Sequence, residues 1–347
     1  MAHILVIRFS ALGDVAMTIP VLYSVGKQYP MHEFTILSKE NMSPLFENMP
    51  ANVHFRGVNL ENYKGMVGLN SLFYELYREG YDAVADLHDV IRTMFIRMAF
   101  KLKDKPVASI EKSRIAKRAL ARKNNKIKTQ LKGSIQRYIN VFDNLGYPIH
   151  LDFQSIFNNT VPDLPEDVRS LTGSHEGMRW IGVAPFARHK GKIYPSELME
   201  KVLEALNTQD NIRIFLFGFG RTEGQWCKKC ESQMKNVTSL VSKFDLKKEL
   251  ILMSHLDVML SMDSANMHLA FLTHTPVVSV WGATHPYAGF SGLQVEGSEI
   301  VQVPLDCRPC SIYGNKPCYK DNYECMYNIQ PKTIVSAVMN VCKKNEQ

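Results

Sequence analysis

At 347 residues, with 45% apolar and 22% charged side chains, the chain has a globular composition. It is too long for one ordinary core, so two domains are expected, and a collagen-like, coiled-coil or disordered chain is excluded. The formal net charge is +7 and is unevenly distributed along the chain. The opening run His3–Ile7 is apolar, too short for a signal peptide and lacks a basic leader, so it reads as a first buried strand. A glycine turn and an apolar helix over about residues 15–29 follow. Strands are expected at 34–37 and 53–55, a helix at 69–78, and a buried strand at 83–86 ending in Leu87-His88-Asp89. A helix over 91–100 leads into the basic segment.

Residues 101–137 hold thirteen Lys/Arg against Asp104 and Glu111, a local charge of +11 that leaves −4 for the rest. Such a run is either a solvated helical face or a docking surface for an anionic partner: phosphorylated lipid, a membrane surface or nucleic acid. Few aromatics interleave it, which argues against single-stranded nucleic acid. Residues 151–177 are irregular, with Pro162, Pro165 and Gly173, and suit a domain linker. The second half repeats the pattern: strands at 180–184, 212–217, 257–261 and 277–281, and helices at 195–206, 246–255, 265–272 and 331–343. Alternation of this kind predicts two doubly wound parallel sheets, with ligands at the carboxyl ends of the strands. No stretch reaches the roughly 18 apolar residues of a membrane span, so a cytosolic protein with at most peripheral membrane contact is expected.

Four segments concentrate chemistry. In Arg8-Phe9-Ser10-Ala11-Leu12-Gly13-Asp14-Val15, Gly13 permits a tight turn and Asp14 falls at or near a helix N-cap. Asp14 is therefore a cap or, at the sheet's carboxyl edge, a general base. In the 184–195 loop, Arg188, His189, Lys190 and Lys192 precede a helix and suit a diphosphate. Gly218-Phe219-Gly220 is a short glycine turn followed by Glu223, an acid suited to ribose hydroxyls; it is not a complete dinucleotide fingerprint. In Asp263-Ser264-Ala265-x2-His268, an acid and a serine open a helix whose first N–H groups suit phosphate, and His268 lies one turn later.

Seven cysteines are present, four of them as Cys307-x2-Cys310-x7-Cys318-x6-Cys325. This spacing leaves structural zinc and free thiols both open. Cys227-x2-Cys230 has no thioredoxin-like frame around it.

The pattern Arg8-x-Ser10-x-Leu12-Gly13-Asp14-Val15-x4-Pro20 resembles the opening signature of lipopolysaccharide heptosyltransferases, inverting glycosyltransferases of the GT-B fold. Lys192-x2-Pro195 resembles that family's Lys-x-Trp-Pro element, with Tyr194 in the Trp position. Asp263-Ser264-Ala265-x2-His268-Leu269-Ala270 is similar to its Asp-Thr-Gly-x2-His-Leu-Ala element, and Thr275-Pro276, Gly282-x-Thr284-x-Pro286 and the cysteine tail continue the match. The resemblance implies two Rossmann-like domains facing across a cleft: residues 1–165 for the acceptor, 166–330 for the nucleotide-sugar donor, and a C-terminal helix over 331–347 packing back toward the first domain. It implies Asp14 as base, Lys192 at the diphosphate, Glu223 at the ribose, Phe244 against adenine and Asp263 at sugar hydroxyls. Ser264, Ala265 and His268 would border the phosphate, and Ser10, Gly13 and Arg118 the acceptor. No metal or cofactor is implied. The expected partners are ADP-heptose, an anionic lipopolysaccharide inner-core acceptor and the inner-membrane surface, with no nucleic acid. Ala265 stands where the family has Gly, and Ser264 where it has Thr. A transferase of another nucleotide sugar and a non-catalytic nucleotide- or lipid-binding protein are the alternatives.

Overall fold

The computed structural model describes residues 1–158 and 160–344. The first half contains β1 (His3–Ile7), α1 (Leu12–Ala16), α2 (Ile19–Gln28), β2 (Glu33–Lys39), β3 (Val53–Val58), α3 (Gly65–Arg78), β4 (Ala83–Asp86), α4 (Ile91–Lys101), β5 (Val107–Ser109), α5 (Arg114–Ala121) and α6 (Ser134–Asp143). The second contains α7 (Glu166–Thr172), β6 (Arg179–Ala184), α8 (Ser196–Asn207), β7 (Ile212–Leu216), α9 (Gly220–Gln233), β8 (Val237–Ser239), α10 (Leu246–Met253), β9 (Val258–Met262), α11 (Ala265–Leu272), β10 (Val277–Val280), β11 (Glu299–Val301), α12 (Glu324–Tyr327) and α13 (Pro331–Lys344).

Two compact units result: residues 1–112 with 132–158, and 113–131 with 160–344. The first sheet runs β3-β2-β1-β4-β5 and the second β11-β10-β9-β6-β7-β8, with every pairing parallel. Ile4, Leu5, Val6 and Ile7 are all fully buried, as expected of a central parallel strand covered on both faces. On one face of the first sheet, Leu5, Ile7 and Leu37 pack with Leu72, Phe73 and Leu76 of α3 and with Ile96 and Phe100 of α4. In the second unit, α8 buries Met199, Val202, Leu203 and Leu206 against β6 and β7. Full burial of such side chains contributes about 1.5–3 kcal/mol each.

Two expectations change. The single helix over 15–29 is two, because Pro20 has no N–H to give and its ring excludes the carbonyl of residue 16; the chain restarts at Thr18, whose hydroxyl bonds Val15 O at 2.7 Å. The basic segment, expected within the domain over 1–165, is divided between the two units. Residues 113–131 belong to the second unit, where Lys126 Nζ bonds Pro309 O at 2.8 Å and Leu131 N bonds Tyr287 O at 2.9 Å. Helix α13 is part of the second unit's own core. Ile334, Ala337, Val338, Val341 and Cys342 of α13 enter the second unit's core beside α8.

Candidate active site

A doubly wound sheet binds ligands where the strand order reverses, at the carboxyl ends. In the first sheet that point lies between β1 and β4, which pair Ile7 with Asp86. The segments leaving it, 8–14 and 87–90, are therefore neighbours. Arg8 is buried; its Nη1 donates to Leu87 O at 2.6 Å and its Nη2 pairs with Asp14 Oδ2 at 2.6 Å. Ala11 is the N-cap of α1, so Asp14 is the third helical residue, and its Oδ2 accepts the Ala11 N–H at 3.3 Å. The carboxylate thus caps the helix from inside its first turn rather than from the N-cap. Both contacts fall on Oδ2, and among the described residues Oδ1 takes none, while about a third of the side chain is exposed. Gly13 is buried beneath this turn and Ser10 is half-buried beside it.

Composition and motif reading missed the group around Asp14. Tyr138 of α6 is buried; its hydroxyl donates to Asp14 O at 3.3 Å and its ring lies 5.8 Å from the Arg8 guanidinium carbon. His88 Nδ1 accepts the Phe9 N–H at 3.4 Å. Burial, then the charges of Arg8 and Lys112, push the His88 pKa down to about 3, so the imidazole is neutral. Asp86 is fully buried; its Oδ1 accepts the N–H groups of His88 and Asp89, and its Oδ2 pairs with Arg97 at 3.0 Å. The signal available was a polar His88-Asp89 step closing a buried strand.

In the second sheet the reversal lies between β6 and β9. The loop after β6 carries Lys192, and β9 runs directly into Asp263, the two joined by an ion pair of 2.9 Å. Asp263 is 3% exposed and Lys192 is 16% exposed. Gly314, at φ 75°, makes room for the lysine stem: a Cβ there would lie 2.7 Å from Lys192 Cγ. Tyr194, in the expected Trp position, is buried and donates to Ile329 O at 2.6 Å, anchoring the loop. Ser264 is the N-cap of α11 but makes no side-chain cap bond; its Oγ lies 3.3 Å from Ser261 Oγ. Among the described residues the first-turn N–H groups from Ala265 onward meet no acceptor and are left for a ligand. His268 is a buried side chain packed against Gly292, whose Cβ would come within 2.8 Å of Nδ1.

Glu223 stands in the first turn of α9 and its Oε2 accepts the Phe219 N–H at 2.7 Å. Phe244 is half-buried just before α10. Arg118 is exposed on α5, in the second unit. Cys307, Cys310 and Cys318 are half-buried and Cys325 is buried. Burial pushes Cys325 up to about 12; at Cys318 it is outweighed by the backbone N–H groups of residues 320–323, which lower the thiol. Among the described residues no three His, Cys, Asp or Glu side chains gather as a metal site. Cys227 and Cys230 are fully buried on α9, and burial raises their thiols to about 12 and 11, so they pack as apolar side chains.

The chain is similar to lipooligosaccharide heptosyltransferase 2 of Campylobacter jejuni, at 23% identity over 96% of each chain. Its fold is that of the family 9 glycosyltransferase of Veillonella parvula, with a TM-score of 0.76, 18% identity and 99% and 98% of the two chains covered. It is also that of the E. coli heptosyltransferase WaaC solved with ADP, with a TM-score of 0.70, 17% identity and 98% and 99% covered. The fold is thus of the GT-B type. The family model for glycosyltransferase family 9 (heptosyltransferase) matches residues 69–316, and the chain belongs to that family of glycosyltransferases.

Proposed function

We propose that the protein transfers heptose from ADP-heptose to a lipopolysaccharide inner-core acceptor with inversion, in the cytoplasm at the membrane surface. The observation that carries this reading is the buried Lys192–Asp263 pair beside the uncapped start of α11, at the point where the second sheet reverses its strand order. That arrangement brings one cation, one carboxylate and a set of free N–H groups together at the carboxyl ends of the neighbouring strands β6 and β9. The cation and the N–H groups suit a diphosphate, and the carboxylate suits sugar hydroxyls. ADP is the ligand named for the E. coli neighbour, and heptose is the sugar named for the family.

In this mechanism the acceptor hydroxyl attacks the anomeric carbon of the donor as the bond to the diphosphate breaks. The proton passes to Asp14 Oδ1, the oxygen that Arg8 and Ala11 leave free. Arg8 keeps the carboxylate in one orientation, and Tyr138 and Gly13 fix the turn that carries it. Charge growing on the leaving ADP is stabilised by Lys192 and by the positive end of α11. Glu223 takes the ribose, Phe244 the adenine face, and Asp263 the heptose hydroxyls; Ser264, Ala265 and His268 shape the phosphate pocket. Ser10 and the exposed Arg118 meet the acceptor.

A second reading keeps the scaffold and changes the donor. It is favoured by Ala265, whose methyl stands at the first position of α11 where the family has Gly. A thermal-shift panel of nucleoside diphosphates decides between them, because a ligand raises apparent stability by its occupancy of the folded state. The proposal expects ADP to raise the melting temperature more than UDP or GDP at equal concentration, and ADP-heptose to be consumed only when a truncated core is present. A larger shift with UDP or GDP would overturn the choice of donor.

A further inference from the structure

The first unit carries an apolar surface that the proposed chemistry does not use. Helix α4 is two-sided. Thr93, Ile96 and Phe100 enter the core. Ile91, Met94, Met98 and Leu102, spaced by three, four and four residues, form one outward stripe, 87%, 43%, 50% and 80% exposed. The packed neighbour α3 also exposes Val67, Tyr74 and Tyr77, and the Tyr77 ring lies 6.2 Å from that of Phe100 in α4. An isolated exposed apolar side chain needs no explanation, whereas a stripe along two adjacent helices marks an interaction surface.

The charges around it identify the partner. Residues 91–105 carry Arg92, Arg97, Lys101, Lys103 and Lys105 against Asp104 alone, a net of +4. Arg97 is engaged by Asp86 and Asp89, and Lys105 lies 3.6 Å from Asp82. Among the described residues Arg92, Lys101 and Lys103 have no carboxylate partner and remain for an outside anion, with Lys103 Nζ 5.9 Å from the Tyr77 ring centre. The nearby acids Glu75 and Glu79 are taken by Arg56. Leu102 thus stands between two exposed lysines, one of them beside the Tyr77 ring.

We infer that the outer face of α3 and α4 docks the protein on an anionic lipid bilayer. Met94, Met98 and Leu102 enter the acyl boundary while Lys101 and Lys103 reach the phosphates and the tyrosines lie at headgroup level. A second copy of this chain is the poorer occupant. A two-fold contact would set the +4 segment against itself, where like charges repel. The choice of a bilayer rests on the proposed function, whose acceptor is a glycolipid.

The test is flotation of the full chain with vesicles of phosphatidylethanolamine and phosphatidylglycerol, and with neutral phosphatidylcholine vesicles. The wild type floats with the anionic vesicles and stays behind with the neutral ones. Each lysine near an anionic surface contributes about fivefold in binding, so Lys101→Glu/Lys103→Glu weakens it at least about 25-fold, and salt weakens the wild type. Met94→Ser/Met98→Ser/Leu102→Ser, checked for an unchanged circular-dichroism melt, also loses flotation yet retains transfer to a truncated, lipid-free acceptor. Absence of wild-type flotation, wild-type flotation by both variants, or a dimer in sedimentation that the triple variant dissolves would overturn the inference. Flotation without any heptosyl transfer would instead overturn the proposed function and leave the docking face standing.

Discussion

Lys192→Met leaves the Asp263 carboxylate, 3% exposed, without its cation. Breaking a buried ion pair from one side costs about 3–5 kcal/mol, because the charge left behind stays desolvated. Lys192 retains 16% exposure, so water reaches the pair from one direction. The lower end, about 3 kcal/mol, therefore applies. Asp263→Asn keeps the shape and leaves the lysine facing a neutral amide, for a loss of about 2 kcal/mol. The double variant contains no unpaired charge, and its loss falls short of the sum of the singles by about 2 kcal/mol. Urea unfolding followed by tryptophan fluorescence reads this cycle well. Trp180, Trp226 and Trp281 are the only tryptophans and all lie in the second unit, so the signal reports that unit's own transition. Single variants within about 0.5 kcal/mol of wild type, or a double variant equal to the sum, would refute the claim that the pair is energetically coupled.

Gly314→Ala forces a side chain onto a φ of 75° and brings its Cβ to 2.7 Å from Lys192 Cγ. It should cost about 1–2 kcal/mol in stability and shrink the ADP-induced thermal shift; an unchanged shift would show that the lysine stem needs no such room. Burial, with Asp245 nearby, pushes the Glu249 carboxyl up from 4.5 to about 7. Its folded pKa is the higher one, so stability is full below 4.5 and declines as pH rises to 7. Glu249→Gln should therefore stabilise by about 2 kcal/mol near pH 8 and be neutral near pH 4, and equal urea midpoints for mutant and wild type at both would contradict this. His88 is shifted the other way, from 6.5 down to about 3, so the fold loses stability as pH falls through that window. His88→Gln should flatten the calorimetric pH profile by about 1–2 kcal/mol near pH 5, and a profile as steep as wild type would contradict it.

The residues differ in how much of this was legible beforehand. The β1 strand was readable to the residue because a central parallel strand needs an unbroken apolar run, and Ile4-Leu5-Val6-Ile7 provides one. Lys192, Asp263 and Ser264 were legible as motif members because each sits on a strand-to-helix junction. Their pairing was not, since it depends on β6 and β9 being neighbours although helix and strand intervene in sequence. The same holds for Arg8, whose partner Leu87 is 79 residues away. The basic segment misled most. Lysines and arginines read as solvent-facing, yet Lys117 and Arg137 are buried, one over the Phe290 ring and the other with Ser134. Their aliphatic stems pack while the charged ends find rings or hydroxyls, an arrangement that a charge count does not register. The α4 stripe was hidden for a related reason. The sequence predicts the helix over 91–100 but not which of its sides faces out, and only the burial of Ile96 and Phe100 shows which side is spent on packing.

In the proposed mechanism Asp14 accepts the proton of the attacking hydroxyl. Asp14→Asn keeps the side-chain shape and an oxygen for Arg8 and the Ala11 N–H, and removes the proton acceptor. The measurement is turnover of ADP-heptose with a truncated core acceptor, made beside the ADP-induced thermal shift of the same variant. The expected loss is about 10²–10⁴-fold in kcat with the thermal shift unchanged. Turnover close to wild type would contradict it, as would a loss of ADP binding large enough to explain the fall.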